Sequence, residues 1–308
     1  MSSPLSLSAA CRALTRLGLY DEPPTEEEQE EARLHVSHPV LQKQVIYAGL
    51  LARPRRQHAP SAGGAPYYTR VPVPESRFRE LIHDACWGRL EPDDLECFGK
   101  IEDWDVSQIR DFSHAFARHP TFNADISRWN TSRATNMHGM FLGCAVFNQC
   151  LGRWNVAQVE NFSDMFAGAS SFNQPLGGWD VGFASTMSGM FRDASSFNQE
   201  LENWNTRRVT DMSGMFAGAR LFNQPLGKWY VYFVQSMRGM FDGAAAFNQS
   251  LEGWYLSYRV DVTDIFRGAT AFDQSMEGWE LKARQERRAS RRRGPEAAGV
   301  SLPLSLCK

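Results

Sequence analysis

The sequence predicts an α/β repeat solenoid of about seven coils, with 25 residues per turn, and three observations predict it. Trp104, Trp129, Trp154, Trp179, Trp204, Trp229, Trp254 and Trp279 stand 25 residues apart and make up eight of the nine tryptophans. Two phenylalanine series keep the same period: Phe116, Phe141, Phe166, Phe191, Phe216, Phe241 and Phe266, and Phe122, Phe147, Phe172, Phe197, Phe222, Phe247 and Phe272. An Asn column from Asn123 to Asn248, closed by Asp273, follows the second series, and a Gln column from Gln149 to Gln274 follows the Asn. A unit this short cannot bury its apolar anchors alone, whereas stacked copies share one continuous core.

Ahead of the repeats, residues 1–75 read as an N-terminal helical arm and a linker. "TEEEQEEARL" opens with Thr25 and Glu28 at capping-box spacing, "PVLQKQVIYAGLLA" is a second helical candidate, and a Pro/Gly/Ala-rich stretch follows. Residues 76–97 read as an N-terminal cap helix, because Phe78, Leu81, Ile82 and Ala85 fall on one helical face behind a Ser76 cap. Trp87, the tryptophan out of period, is assigned to the core of that cap.

Residues 98–282 read as the coils. Met212, Met215, Phe216 and Ala219 at i, i+3, i+4 and i+7 predict about two helical turns per unit, which Gly218 and its equivalents end. "FNQxL" is then the candidate strand, and mixed helix and strand favour a leucine-rich-repeat-like coil over an all-helical one. Simple alternation would set Gln224 beside Phe222 and Leu226, so whether Asn or Gln turns inward stays open. In the final coil Arg259 takes the place of Val209. Residues 283–308 read as a basic, disordered tail.

The phrases "MFAGASSFNQPLGGWDV" and "WNTRRVTDMSGMFAGARLFNQPL" closely resemble the repeats of BspA-like leucine-rich-repeat surface proteins and of mycoplasma-type surface lipoproteins, over residues 98–280. The resemblance implies a right-handed leucine-rich-repeat-like solenoid and a non-enzymatic role in adhesion or protein binding at the cell surface. No signal peptide or lipobox opens the chain, and similar repeats occur in intracellular-looking proteins of eukaryotic microbes. A cytoplasmic location is therefore the expectation, with cell-surface display as the alternative by family analogy.

Composition agrees with a folded chain: 43% of residues are hydrophobic and 22% charged, ordinary globular usage. The net charge of -2 hides an asymmetry, since "KARQERRASRRR" carries seven Lys/Arg against one Glu, a local +6 that leaves -8 elsewhere. Six cysteines without a CxxC pair signal neither a disulfide scaffold nor a zinc site, and no apolar run of membrane-spanning length occurs. The first twenty residues lack acids and hold two Arg and four Ser, so an organelle is a further alternative location.

No nucleotide, hydrolase or metalloprotease motif is present, and the sequence predicts no enzyme activity, no cofactor and no metal. His114, His119 and His138 read as exposed polar residues of imperfect early repeats. The Asn and Gln columns read as hydrogen-bond ladders rather than ligand groups. Candidate binding residues lie where repeats depart from their own consensus. Four residues after each Trp the column runs Gln108, Arg133, Gln158, Phe183, Arg208, Phe233 and Tyr258, and Tyr230 and Tyr255 directly follow their tryptophans in place of Asp or Asn.

Phe183, Arg208, Tyr230, Tyr232, Phe233, Tyr255 and Tyr258 thus form an aromatic strip of interface composition, unless the chain's own arm or a cap covers it. The expected function is a protein-binding scaffold module working through this strip. A nucleic-acid-associated or nuclear protein is the alternative, using Arg287, Arg288, Arg291, Arg292 and Arg293, with Ser290 among them as a modification site.

Overall fold

The computed structural model of the chain describes residues 71–275. The chain divides into two compact units; among the described residues the smaller holds 71 and 89–100, and the larger holds 72–88 and 101–275. The arm, the tail and the eighth periodic tryptophan, Trp279, lie outside the described residues.

In the larger unit, helix α1 (Phe78–Cys86) buries Phe78, Leu81 and Ile82. Arg77, not Ser76, precedes it, and no side chain caps it. The Phe78 ring stands edge-on to Phe112 at 5.2 Å and lies 6.1 Å from Trp129, which joins the helix to the repeat core. The Arg79 guanidinium donates to Asp111 and Ser113, both at 2.6 Å, and Glu75 Oε1 accepts the N–H groups of Arg110 and Asp111. Trp87 is 55% exposed, so it is not core: the helix has ended and Gly88 turns the chain with φ +64. In the smaller unit, α2 (Pro92–Phe98) starts with a proline where no helical N–H is needed and ends at Gly99, φ +72.

From Trp104 onward the described residues contain no α-helix or strand, only turns and isolated parallel bridges. The bridges run Asp111 to Asn136, Asn161, Thr186, Asp211, Ser236 and Asp261, each 25 residues from the last. The "MSGMFAG" segment therefore departs from the helix expected there. Its N–H groups alternate: Met215, Ala217 and Ala219 close tight turns onto Met212, Gly214 and Phe216, while Met212, Gly214, Phe216 and Gly218 donate to Ser236, Arg238, Met240 and Asp242 of the next repeat at 2.7–2.9 Å. The departure has a backbone cause. Gly214 (φ +60) and Gly218 (φ +69) take left-handed conformations four residues apart, which breaks a right-handed helix and turns every second N–H outward. Where these columns lack glycine they hold His114, Arg118, Asp164, Asp193 and Asp264, mostly types that tolerate positive φ.

The core between turns is aromatic and sulfur-rich. Phe191, Phe216 and Phe241 stack at 5.6 and 5.7 Å, Phe197, Phe222 and Phe247 at 6.0 Å, and Trp204 on Trp229 at 6.3 Å, all with nearly parallel rings. Each indole from Trp129 to Trp254 donates its Nε1–H to the carbonyl 28 residues back, as Trp229 does to Leu201 at 2.9 Å, so the buried polar edge of the ring is satisfied.

"FNQxL" forms no bridge, and both of its amides lie along the surface. Phe222 and Leu226 are fully buried, while Asn223 and Gln224 are half-exposed. Each Asn Oδ1 accepts two bonds from the next repeat, as Asn198 does from the Asn223 N–H at 2.9 Å and from Gln224 Nε2 at 3.0 Å. The ladder thus replaces a strand with side-chain-to-backbone pairing.

Candidate functional site

The candidate strip is built on one tight turn per repeat. The residue two after the Trp accepts the N–H of the residue five after it, as Val231 does from Val234 at 3.1 Å, and both of those side chains are buried. The two residues between them are the tip of the turn and must face outward. In successive repeats the tips read Gly182–Phe183, Arg207–Arg208 and Tyr232–Phe233.

The residue directly after the Trp has a structural task in the first five repeats. Asp105, Asn130, Asn155, Asp180 and Asn205 each accept, through Oδ1, the N–H two residues on, at 3.0–3.3 Å. This Asx turn satisfies a tip N–H that the fold otherwise leaves to water. Tyr230 and Tyr255 have no such acceptor. After Tyr255 the turn slides by one residue: Val260, not Leu256 plus three, closes it onto Ser257, whose hydroxyl accepts the Arg259 N–H at 3.4 Å. Arg259 is consequently exposed at the tip rather than in the place of Val209, and Val260 is the buried residue.

The structure brings the strip residues together in groups. Tyr230 and Phe233 lie 5.8 Å apart, Tyr232 and Phe233 5.5 Å apart, and Tyr232 and Tyr255 5.5 Å apart. Phe183 pairs with Arg208, whose guanidinium carbon stands 4.6 Å from the ring centroid. Tyr258 meets Arg259 at 5.2 Å, and its hydroxyl accepts from Arg259 Nε at 2.8 Å. Phe183, Tyr230, Phe233 and Tyr255 are 42–58% exposed, whereas Tyr232 and Tyr258 are half-buried. Sequence reasoning missed Arg207, 5.4 Å over the Tyr230 ring, and aligned Arg259 with Val209. The doublet "RR" two and three places after Asn205 was the signal for the first; the apolar residue one place later, Val260, was the signal for the second. Ser290 and the tail arginines lie outside the described residues.

The histidines form a separate cluster at the first two repeats. His114 and His138 face each other at 4.5 Å, and His138 Nδ1 lies 2.9 Å from the Ser163 carbonyl. His119 is buried rather than exposed, its ring edge-on to His83 and Trp87. Burial, then its neighbour His83, lowers the His119 pKa; burial, then His138, lowers that of His114. Burial pushes the Cys86 and Cys144 thiols up to about 12, far from nucleophilic activation. Among the described residues no group of three or more His, Cys, Asp or Glu is placed to hold a metal ion, and no helix is long and apolar enough to cross a membrane.

No curated protein and no solved structure matches the chain. A family model described as "Mycoplasma protein of unknown function, DUF285" matches twice, over residues 93–204 and 177–279. The two matches overlap inside the repeats and together cover more than half of the 308 residues. With the repeat spacing and this match in agreement, the chain belongs to the DUF285 family of mycoplasma-type repeat proteins.

Proposed function

We propose that the chain is a non-enzymatic protein-binding module whose repeats form a right-handed, leucine-rich-repeat-like solenoid, as in BspA-like proteins, and whose aromatic turn tips dock a partner protein. One observation carries the reading. At Tyr230 the chain replaces a turn-stabilising Asx residue with a ring that is 42% exposed, and Phe233 beside it is 58% exposed. Neither ring serves the core, which Val231 and Val234 fill. Exposed Tyr and Phe beside Arg are the composition of an interface centre.

The bridges in strict 25-residue register support the solenoid reading. The test is affinity capture with the intact chain and with a Tyr230→Asn/Phe233→Ser variant. A partner held by the intact chain and lost with the variant, at unchanged melting temperature, is the expected result. Capture that survives the variant and disappears when residues 282–293 are deleted would move the interaction to the basic tail.

A further inference from the structure

We infer that the partner segment docked on the strip is an extended acidic peptide, its Asp and Glu carboxylates meeting Arg207, Arg208 and Arg259; this rests on the docking reading above. The cations arrive with the rings. The four residues after each Trp read Asp105–Gln108, Asn130–Arg133 and Asn155–Gln158 in the first three repeats, one Asp against one Arg, a net charge of zero. In 180–183, 205–208, 230–233 and 255–258 they hold Asp180 against Arg207 and Arg208, a net +1, and Arg259 follows one place later at the tip of the slid turn. That positive ground is set on a chain whose charge outside 282–293 is -8, so it is not a general property of the surface.

The three guanidiniums are also held differently from the ion-paired cations. Arg79, Arg128, Arg192, Lys228 and Arg267 each form an ion pair with a carboxylate. Arg207, Arg208 and Arg259 are exposed and form no ion pair among the described residues; they lie 5.4, 4.6 and 5.2 Å over the rings of Tyr230, Phe183 and Tyr258. A guanidinium over a ring keeps N–H donors for a carboxylate: Arg259 commits its Nε–H to the Tyr258 hydroxyl and has its two terminal NH2 groups left to pair.

The same packing argues against single-stranded nucleic acid. Base stacking needs open ring faces, and an arginine of the chain already occupies a face of Phe183, Tyr230 and Tyr258. An extended chain suits the strip because its contact points step from one repeat to the next.

The experiment uses the full chain and fluorescence anisotropy of a labelled peptide of repeated Glu-Pro-Leu-Glu, with the matching Gln-Pro-Leu-Gln peptide and an oligothymidylate as comparators. The intact chain should bind the Glu peptide, and Arg207→Gln/Arg208→Gln/Arg259→Gln should raise Kd about tenfold or more while leaving the melting temperature unchanged. A variant with Arg287, Arg288, Arg291, Arg292 and Arg293 changed to Gln should keep at least the strip-dependent binding. Equal binding of the Gln peptide, or no Glu-peptide binding at about millimolar concentration, overturns the acidic assignment and leaves the docking reading standing. Strip-dependent binding of oligothymidylate alone overturns it in favour of nucleic acid. Glu-peptide binding unchanged in Tyr230→Asn/Phe233→Ser and in the triple Arg variant overturns the docking reading as well.

Discussion

Asn198→Ala tests the side-chain ladder that takes the place of a strand. Asn198 Oδ1 accepts the Asn223 N–H at 2.9 Å and Gln224 Nε2 at 3.0 Å, and Ala removes both acceptances. Each neutral bond contributes about 0.5–1.5 kcal/mol net, so the pair sets a range of about 1–3 kcal/mol. Both donors are half-exposed, water recovers part of the loss, and the expected destabilisation is about 1.5 kcal/mol. Asn198→Asp keeps the acceptor and should stay within about 0.5 kcal/mol of the parent at neutral pH; the chain itself places Asp273 at the end of this column. The assay is urea unfolding followed by tryptophan fluorescence, comparing midpoints at constant slope. An Ala variant as stable as the parent, or an Asp variant as unstable as the Ala one, would refute the ladder.

Other outcomes follow from the same geometry. Phe216→Ala empties a fully buried site between Phe191, Phe222 and Phe241 and should cost about 3–5 kcal/mol by urea unfolding; a loss under about 1 kcal/mol would contradict the stacked core. Gly214→Ala forces a Cβ into φ +60 with no tight neighbour and should cost about 1–2 kcal/mol, whereas Gly214→Asp, the residue the chain uses at Asp164 and Asp264, should cost less in the same assay. Because the folded pKa values of His114 and His119 lie below the ordinary histidine value, the unfolded chain takes up those protons first as pH falls. Stability is full above the ordinary value and is lost as pH falls through it toward the folded values, so the melting temperature should be lower at about pH 5.5 than at about pH 7.5. His114→Asn, a residue that tolerates positive φ, should shrink that difference, since Arg79 and His138 oppose its protonation more than Asp164 and Asp111 favour it.

The repeat was legible because a stacked core demands the same large residue at the same place in each unit, and the Trp and Phe columns report that demand directly. The elements inside the unit were less legible. Met212, Met215, Phe216 and Ala219 carry helical spacing, yet the two positive-φ glycines between them convert it into tight turns whose outer N–H groups serve the next repeat. Gln224 was ambiguous because alternation presumes a strand; a surface amide ladder frees the segment from that rule. The strip itself was visible as a departure from consensus, since turn tips are exposed whatever they hold. Arg259 was misplaced because the apolar residue after Trp254 comes one place later, at Val260: the turn closes onto Ser257 so that Val260 enters the core, whereas Tyr230, which also lacks the Asx acceptor, keeps its turn.

The most direct test of the docking claim is site-specific photo-crosslinking in the cell of origin. A benzophenone amino acid is placed at Phe233, 58% exposed in the strip, and in parallel at Arg153, exposed after Leu151 on another turn of the repeat. Docking predicts a discrete adduct with a second protein from position 233 that is absent from position 153 and lost with Arg207→Gln/Arg208→Gln/Arg259→Gln. A crosslink from position 233 mapping only to the chain's own residues, or equal adducts from both positions, would contradict it.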